Sequence, residues 1–233
     1  MRQCGSAWDR PEPIRDLLSD SDTRMLVLDY IRFRMRTPHA VSFLGLAAYL
    51  RYRSITNMQQ PWGWKDPRNT YTLPIWLDAF PHAKVVHVYR HGVDVAHSLR
   101  VRQNKRIATA RARFSRLKPV YVFYSKRGGF SETLRCKTLE GGLSLWEEYM
   151  AEARTHVRSL GERAVEVKYE DFLAEPLAVL RNLAQFCGLD VSDAKLAAAA
   201  GQVEKGRAFT YRTDPALKAF ADGAAGRLGK YGY

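Results

Sequence analysis

The sequence predicts an α/β domain built on a mostly parallel sheet. Three observations carry this expectation. Two short β-branched runs, KVVHVY at 84–89 and RAVEVKY at 163–169, read as strands. Long stretches between and after them space their apolar residues as helices do. Strand and helix also alternate at the distances that parallel strands need for their crossover connections. At 233 residues, with 46% hydrophobic and 26% charged side chains, the chain has enough apolar material for a core. Disorder as the main state is thereby excluded. We expect one domain over 1–233.

The elements follow in order. PEPIRDLLS at 11–19 reads as a short helix with proline near its first turn. Residues 39–53 read as helical and largely buried, and 62–65 as a short strand. A helix over 73–80 is stopped by Pro81. The strand at 84–89 carries apolar residues in succession and reads as buried. A helix follows from 93 to about 105. Residues 139–160 form a long amphipathic helix with Trp146 and Tyr149 on its apolar side. After the second strand, 170–187 is helical and ends at Gly188, a normal C-terminal cap residue. Helices over 192–203 and 215–228 complete the chain.

The net charge of +13 is concentrated. From Arg100 to Arg127 there are ten basic residues and no acid, and outside that segment 27 cations face 24 acids. Such a segment attracts polyanions: a nucleotide, a sulfated or phosphorylated acceptor, nucleic acid or anionic lipid. A solvated basic surface accounts for it equally well. Residues 100–138 read as a basic insertion or lid, with Tyr121, Phe123 and Tyr124 as a platform beside Gly128 and Gly129. The clearest apolar run, 41–50, is about half of the ~20 residues a bilayer span needs. The start, MRQCGSAWDRPEP, has no apolar signal region. Cys4, Cys136 and Cys187 make neither a disulfide framework nor a zinc pattern, so a reducing cytoplasm and no metal are expected.

Ligands of parallel sheets bind at the carboxyl ends of the strands. Three segments sit there. Arg90 closes the first strand, Gly92 lets the chain turn into a helix, and Asp94 and Ser98 share one face of that helix. Arginine and serine in this placement can converge on a phosphate, and Arg90 can equally pair with Asp94. In WGWKDPR, Lys65 and Arg68 flank the stiffening Pro67 and can neutralise charge on a transferring group. An Asp66–Arg68 pair on a surface loop is the alternative. Tyr169 ends the second strand, where its ring can pack on a base or cap the core.

Together, WGWKDPRNTYTLPIWLDAFPHAKVVHVYRHGVDVAHSLR (62–100) and VKYEDFLAEPLAVLRNLAQFCGL (167–189) resemble the sulfotransferase family. Those enzymes move a sulfuryl group from 3′-phosphoadenosine 5′-phosphosulfate (PAPS) to an acceptor. The two stretches cover about a quarter of the chain. The family's usual RDPRDVxxS reads RHGVDVAHS here. The resemblance implies a three-layer α/β/α sulfotransferase fold of the P-loop-like type. It places Arg90 and Ser98 on the donor's 3′-phosphate, Tyr169 near the adenine and Lys65 beside the sulfuryl group. Arg68 joins the donor-binding set. Lys205 and Arg207, around Gly206, resemble a basic turn that relatives use on the same 3′-phosphate. Asp66 and His91 are candidates for the base that takes the acceptor's proton. The acceptor is a small molecule, a glycan or a lipid, with an anionic one suited to the basic segment.

One departure qualifies this resemblance. The family's Gly/Ser/Thr-rich loop of the type RSGTT, which cradles the 5′-phosphosulfate, has no counterpart, and Cys4-Gly5-Ser6-Ala7 is a chance likeness. The first strand-loop-helix unit is therefore expected to be missing and the chain as written to be inactive or nearly so. The alternative function is a non-catalytic nucleotide- or polyanion-binding remnant of the same fold. Specific nucleic-acid binding is not expected, because the aromatics of VYVFY are clustered rather than interleaved with arginine.

Overall fold

The structure, a computed structural model, describes residues 6–125, 129–131 and 133–233. Cys4 and Gly5, like Lys126, Arg127 and Gly128 of the basic segment, lie outside the described residues. The chain divides into two compact units, Met1–Ala83 and Lys84–Tyr233.

The first unit is helical: α1 (Glu12–Ser19), α2 (Ser21–Arg36), α3 (Val41–Leu44), α4 (Leu46–Tyr52) and α5 (Asn69–Ala79). Asp20 caps α2 by accepting the Thr23 N–H at 2.8 Å. The core holds Met35, Ala40 and Ile55, with Ile31, Trp62 and Phe80 packed against them. Arg24 of α2 forms a two-pronged ion pair with Asp78 of α5, at 2.7 and 2.8 Å. Between α4 and α5 runs a chain of aromatic rings in which Trp62 stacks on Trp64 and Trp64 meets Trp76 edge-on.

The second unit contains β1 (Val85–Tyr89), α6 (Gly92–Leu117), α7 (Leu139–Leu160) and β2 (Ala164–Lys168). It continues through α8 (Tyr169–Ala174), α9 (Pro176–Cys187), α10 (Asp193–Gly201), α11 (Pro215–Gly223) and α12 (Ala225–Gly229). β1 and β2 pair in parallel, from Val85 opposite Ala164 to Tyr89 opposite Lys168. Helices α6 and α7 form the crossover. Their contact is close because small residues meet there: a Cβ on Gly142 would come within 3.0 Å of Ala96. The core around Val93, Ala96, Leu143, Trp146 and Met150 extends to Leu217, Ala221 and Leu228 of the last two helices.

Several expectations need correction. No strand forms at 62–65; that segment has no regular secondary structure, its apolar rings serving the aromatic chain instead. Residues 39–53 are helical in short pieces broken at Gly45, whose φ is +76°. They are not largely buried, since Phe43, Leu46 and Leu50 are all exposed. Helix α2, to which the sequence reading assigned nothing, fills 21–36. The first helix of the second unit runs twelve residues beyond 105, because no Gly or Pro interrupts it before Pro119. β1 is not buried on both faces: Val88 is 55% exposed although its neighbour in register, Val167, is buried. Among the described residues the sheet has these two strands.

Gly92 has a role the sequence did not show. It has no positive φ; the turn needs it for space. A Cβ there would lie 2.8 Å from both Leu143 and Trp146. Gly92→Ala is expected to destabilise the chain by ~1–3 kcal/mol, the range for overpacking a dense core, read as a lower urea midpoint.

Candidate functional site

The site grows from the turn between β1 and α6. The Trp146 indole N–H donates to the carbonyl of Arg90 at 3.1 Å and so fixes the turn on α7. The His91 backbone N–H donates to Glu170 Oε1 at 2.9 Å, tying the end of β1 to the start of α8. Glu170 is buried, and its second oxygen accepts the Tyr233 hydroxyl at 2.7 Å. The His91 side chain caps α6, its Nδ1 accepting the Val93 N–H at 3.3 Å.

Asp94, buried in the first turn of α6, gathers the rest. Its carboxylate accepts from Arg90 Nη2 at 2.8 Å, Thr210 Oγ1 at 2.8 Å, Thr210 N–H at 3.1 Å and Tyr211 N–H at 2.7 Å. The α6 N-terminus adds its positive dipole. An isolated buried carboxylate is costly, and this one is neutralised by donors on every side. The same Arg90 Nη2 donates to the Arg207 carbonyl at 2.7 Å and to Thr210 Oγ1 at 3.1 Å. The Arg90–Asp94 pair therefore forms, yet it does not exhaust the arginine. Nε is buried without a partner among the described residues, and the side chain remains 28% exposed. The three hydrogen bonds of this guanidinium all use Nη2, and none from the described residues involves Nη1.

Tyr169 opens α8 beneath this arginine, whose Cζ lies 5.4 Å from the ring centroid. A cation over an aromatic face is held electrostatically while its edge stays available. Ser98 is exposed on α6, one turn beyond Asp94, without a hydrogen bond among the described residues. The turn Lys205–Arg207 reaches Arg90 through the Arg207 carbonyl; the Arg207 side chain pairs with Glu204 at 2.8 Å. Lys205 faces instead a shallow cavity shared with Arg181 and the start of α9. The structure thus joins Arg90, His91, Tyr169 and the backbone of Arg207, and it turns the Arg207 and Lys205 side chains to other partners.

Lys65, Asp66 and Arg68 belong to the first unit. Lys65 is exposed, and the segment leads into the N-terminus of α5. Arg68 grips Asp66, with its Nε 2.9 and 3.0 Å from the two oxygens, which lowers the carboxyl pKa. That makes Asp66 a poorer base. His91 is a poor base as well. Its ring stacks on Tyr211 at 4.3 Å and meets Tyr233 edge-on, and burial pushes its pKa down to about 4. With Nδ1 already accepting a hydrogen bond, the geometry favours a positioning role for it. Among the described residues no three His, Cys, Asp or Glu side chains gather as a metal would require.

Sequence reasoning missed Glu170, Thr210, Tyr211, Trp146 and Tyr233. Glu170 lay inside the Tyr-Glu-Asp segment already singled out, next to Tyr169. The others are ordinary core or turn residues by type, with no local signal.

A strand-end arginine lies over a tyrosine beside a helix start, in a unit that pairs parallel strands with helices. The family model described as "Sulfotransferase family" matches residues 18–193, about three quarters of the chain and parts of both units. This chain belongs to the sulfotransferase family. No curated protein and no solved structure matches it.

Two outcomes follow from the geometry. Asp94→Ala leaves Arg90 and two backbone N–H groups without their acceptor, and should cost about 3–5 kcal/mol in urea denaturation. The second concerns pH. Between the ordinary histidine value of 6.5 and about 4, the unfolded chain binds a proton that folded His91 does not. Stability should therefore fall as pH drops through that window, by about 3 kcal/mol, and then level off. His87, lowered mainly by burial, adds in the same sense. His91→Asn, which keeps a capping acceptor, should flatten the melting temperature across this range.

Proposed function

We propose that the chain binds PAPS for sulfuryl transfer to a hydroxyl or amine acceptor, on a three-layer α/β/α sulfotransferase fold, with little or no turnover expected of the chain as written. The observation that carries the proposal is Arg90, held by Asp94 and lying over Tyr169, with Nη1 making no hydrogen bond among the described residues. That arrangement suits a phosphate beside an aromatic base. In this reading Arg90 and Ser98 hold the donor's 3′-phosphate and Tyr169 packs near the adenine.

PAPS supplies a sulfuryl group on an activated bridging oxygen of its 5′-phosphate. In the transfer, the acceptor oxygen or nitrogen forms a bond to sulfur while the bond to that oxygen breaks. The acceptor's proton leaves to a base, and adenosine 3′,5′-bisphosphate departs. The transition state is loose, as in phosphoryl transfer, so charge builds on the departing oxygen. Lys65 and Arg68 are assigned to that charge. Asp66 is assigned to orienting Arg68 and His91 to holding the turn, since both are weak bases in this structure. The basic surface after Arg100 borders the acceptor.

Calorimetry with adenosine 3′,5′-bisphosphate tests the donor site, with ATP as the control. Saturable binding that ATP does not reproduce is expected. Arg90→Ala should weaken it by ~1.5–3 kcal/mol, the range for hydrogen bonds to charged groups. Ser98→Ala should cost about 0.5–1.5 kcal/mol in affinity and leave the melting temperature unchanged, because Ser98 supports nothing else. Unchanged affinity in both variants would overturn the assignment. Binding without turnover of PAPS over a panel of alcohols, phenols and amines would select the non-catalytic reading.

A further inference from the structure

We infer that the distal end of α6 and the turn after it form a docking surface for an anionic lipid bilayer. The surface belongs wholly to the second unit and does not depend on the sulfuryl-transfer reading.

Two features of different chemistry follow one another along this stretch of chain. The first is a stripe of charge. Arg102, Lys105, Arg113 and Arg116 are all exposed and recur at spacings of three, eight and three residues, which keeps them on one side of the helix. Arg111 and Lys118 are exposed as well, and no acid occurs anywhere from Arg100 to Arg127. The stripe therefore carries no countercharge of its own.

The second feature is an apolar tip. Beyond Leu117 the chain turns through a short 3₁₀ segment, Val120–Val122. Val122, Phe123 and Tyr124 are 77%, 82% and 72% exposed. These are among the most exposed large apolar side chains of the described residues, and they are consecutive. The tip is braced rather than loose at its base. Tyr121 stacks on Phe114 of α6 at 5.7 Å, and Phe130 meets Phe114 edge-on. Gln103, fully buried in α6, donates to Ser131 Oγ at 2.8 Å and to the Thr133 carbonyl at 2.9 Å, anchoring the returning chain. Three apolar side chains are thus presented to solvent by a supported turn.

A soluble polyanion, whether glycan or nucleic acid, would satisfy the cations and leave the tip in water. An apolar protein groove would take the tip and leave the cations unmatched. An anionic bilayer takes both. Its headgroups meet the stripe, and its interface accepts valine, phenylalanine and tyrosine, the last with its hydroxyl at headgroup level. Each cation near such a surface adds roughly fivefold to partitioning. No helix of the described residues is long and apolar enough to cross a membrane, so this is attachment to a surface.

The test is sedimentation of the full chain with vesicles of phosphatidylcholine alone and with about one-third phosphatidylserine, in low and high salt. Binding is expected only to the phosphatidylserine vesicles, at least tenfold over neutral ones, and weakened by salt. The triple variant Val122→Ser, Phe123→Ser, Tyr124→Ser should lose tenfold or more in vesicle binding while its binding to heparin stays unchanged. The variant Arg102→Gln, Lys105→Gln, Arg113→Gln, Arg116→Gln should lose both. All seven side chains are exposed, so melting temperatures should stay near that of the parent. Phe123→Trp should show a blue-shifted emission with the anionic vesicles alone. No partitioning to any vesicle would overturn the inference. So would a serine variant that binds vesicles as well as the parent, which would mark the stripe as a site for soluble polyanions.

Discussion

The buried carboxylate of Asp94 is the interaction on which the second unit depends. It lies at the positive end of α6, and four donors from two distant parts of the chain converge on it. Without them the charge would be too costly to bury; without the charge those donors would themselves be buried unsatisfied. The pairing thus locks residues 207–211 onto the strand-to-helix turn. Glu170 does the same on the other side, joining the His91 N–H to the Tyr233 hydroxyl. Asp94 within the turn and Glu170 across from it hold residues 207–211, the second strand's end and the chain's last residue together. A network of this kind is worth more intact than in parts, because each member is the desolvation remedy of another.

That clasp also fixes the arginine on which the proposed phosphate site rests. Arg90 Nη2 is committed to Asp94, Thr210 and the Arg207 carbonyl, so the plane of the guanidinium is set before any ligand arrives. The Tyr169 ring supports the plane from one side. A preorganised fork loses less entropy when it binds a phosphate than a free side chain would. Helix α6 then links chemistries of different kinds along its length. Its first turn holds Arg90, its glycine and alanine seat it on α7, and its far end carries charge and aromatic surface into solvent.

Much of the fold was legible. The two strands, the long helix over 139–160 and the Gly188 cap stand where β-branched runs, amphipathic spacing and capping chemistry put them. Helix α2 went unread, because its apolar residues spread around the helix and leave no clean stripe. The strand expected at 62–65 shows the opposite limit. Aromatic residues favour strands on average, but here rings from α5 and α3 gave Trp62 and Trp64 better partners than a ladder.

The sequence by itself determined the family-like motif, the strand-end position of Arg90 and the concentration of charge after Arg100. These are local properties: residue type, spacing and the direction in which a turn sends the chain. Tertiary structure alone decided which donors fill Asp94, that Gly92 is needed for room and not for its φ, and that His91 is a buried cap with a lowered pKa. It alone decided that Phe123 and Tyr124 face water while Tyr121 folds back on Phe114. Each of those depends on what lies across a gap of tens of residues, such as the 116 that separate Asp94 from Thr210. Burial, and with it the strength of every charge and hydrogen bond, is fixed only when those distant segments close over one another.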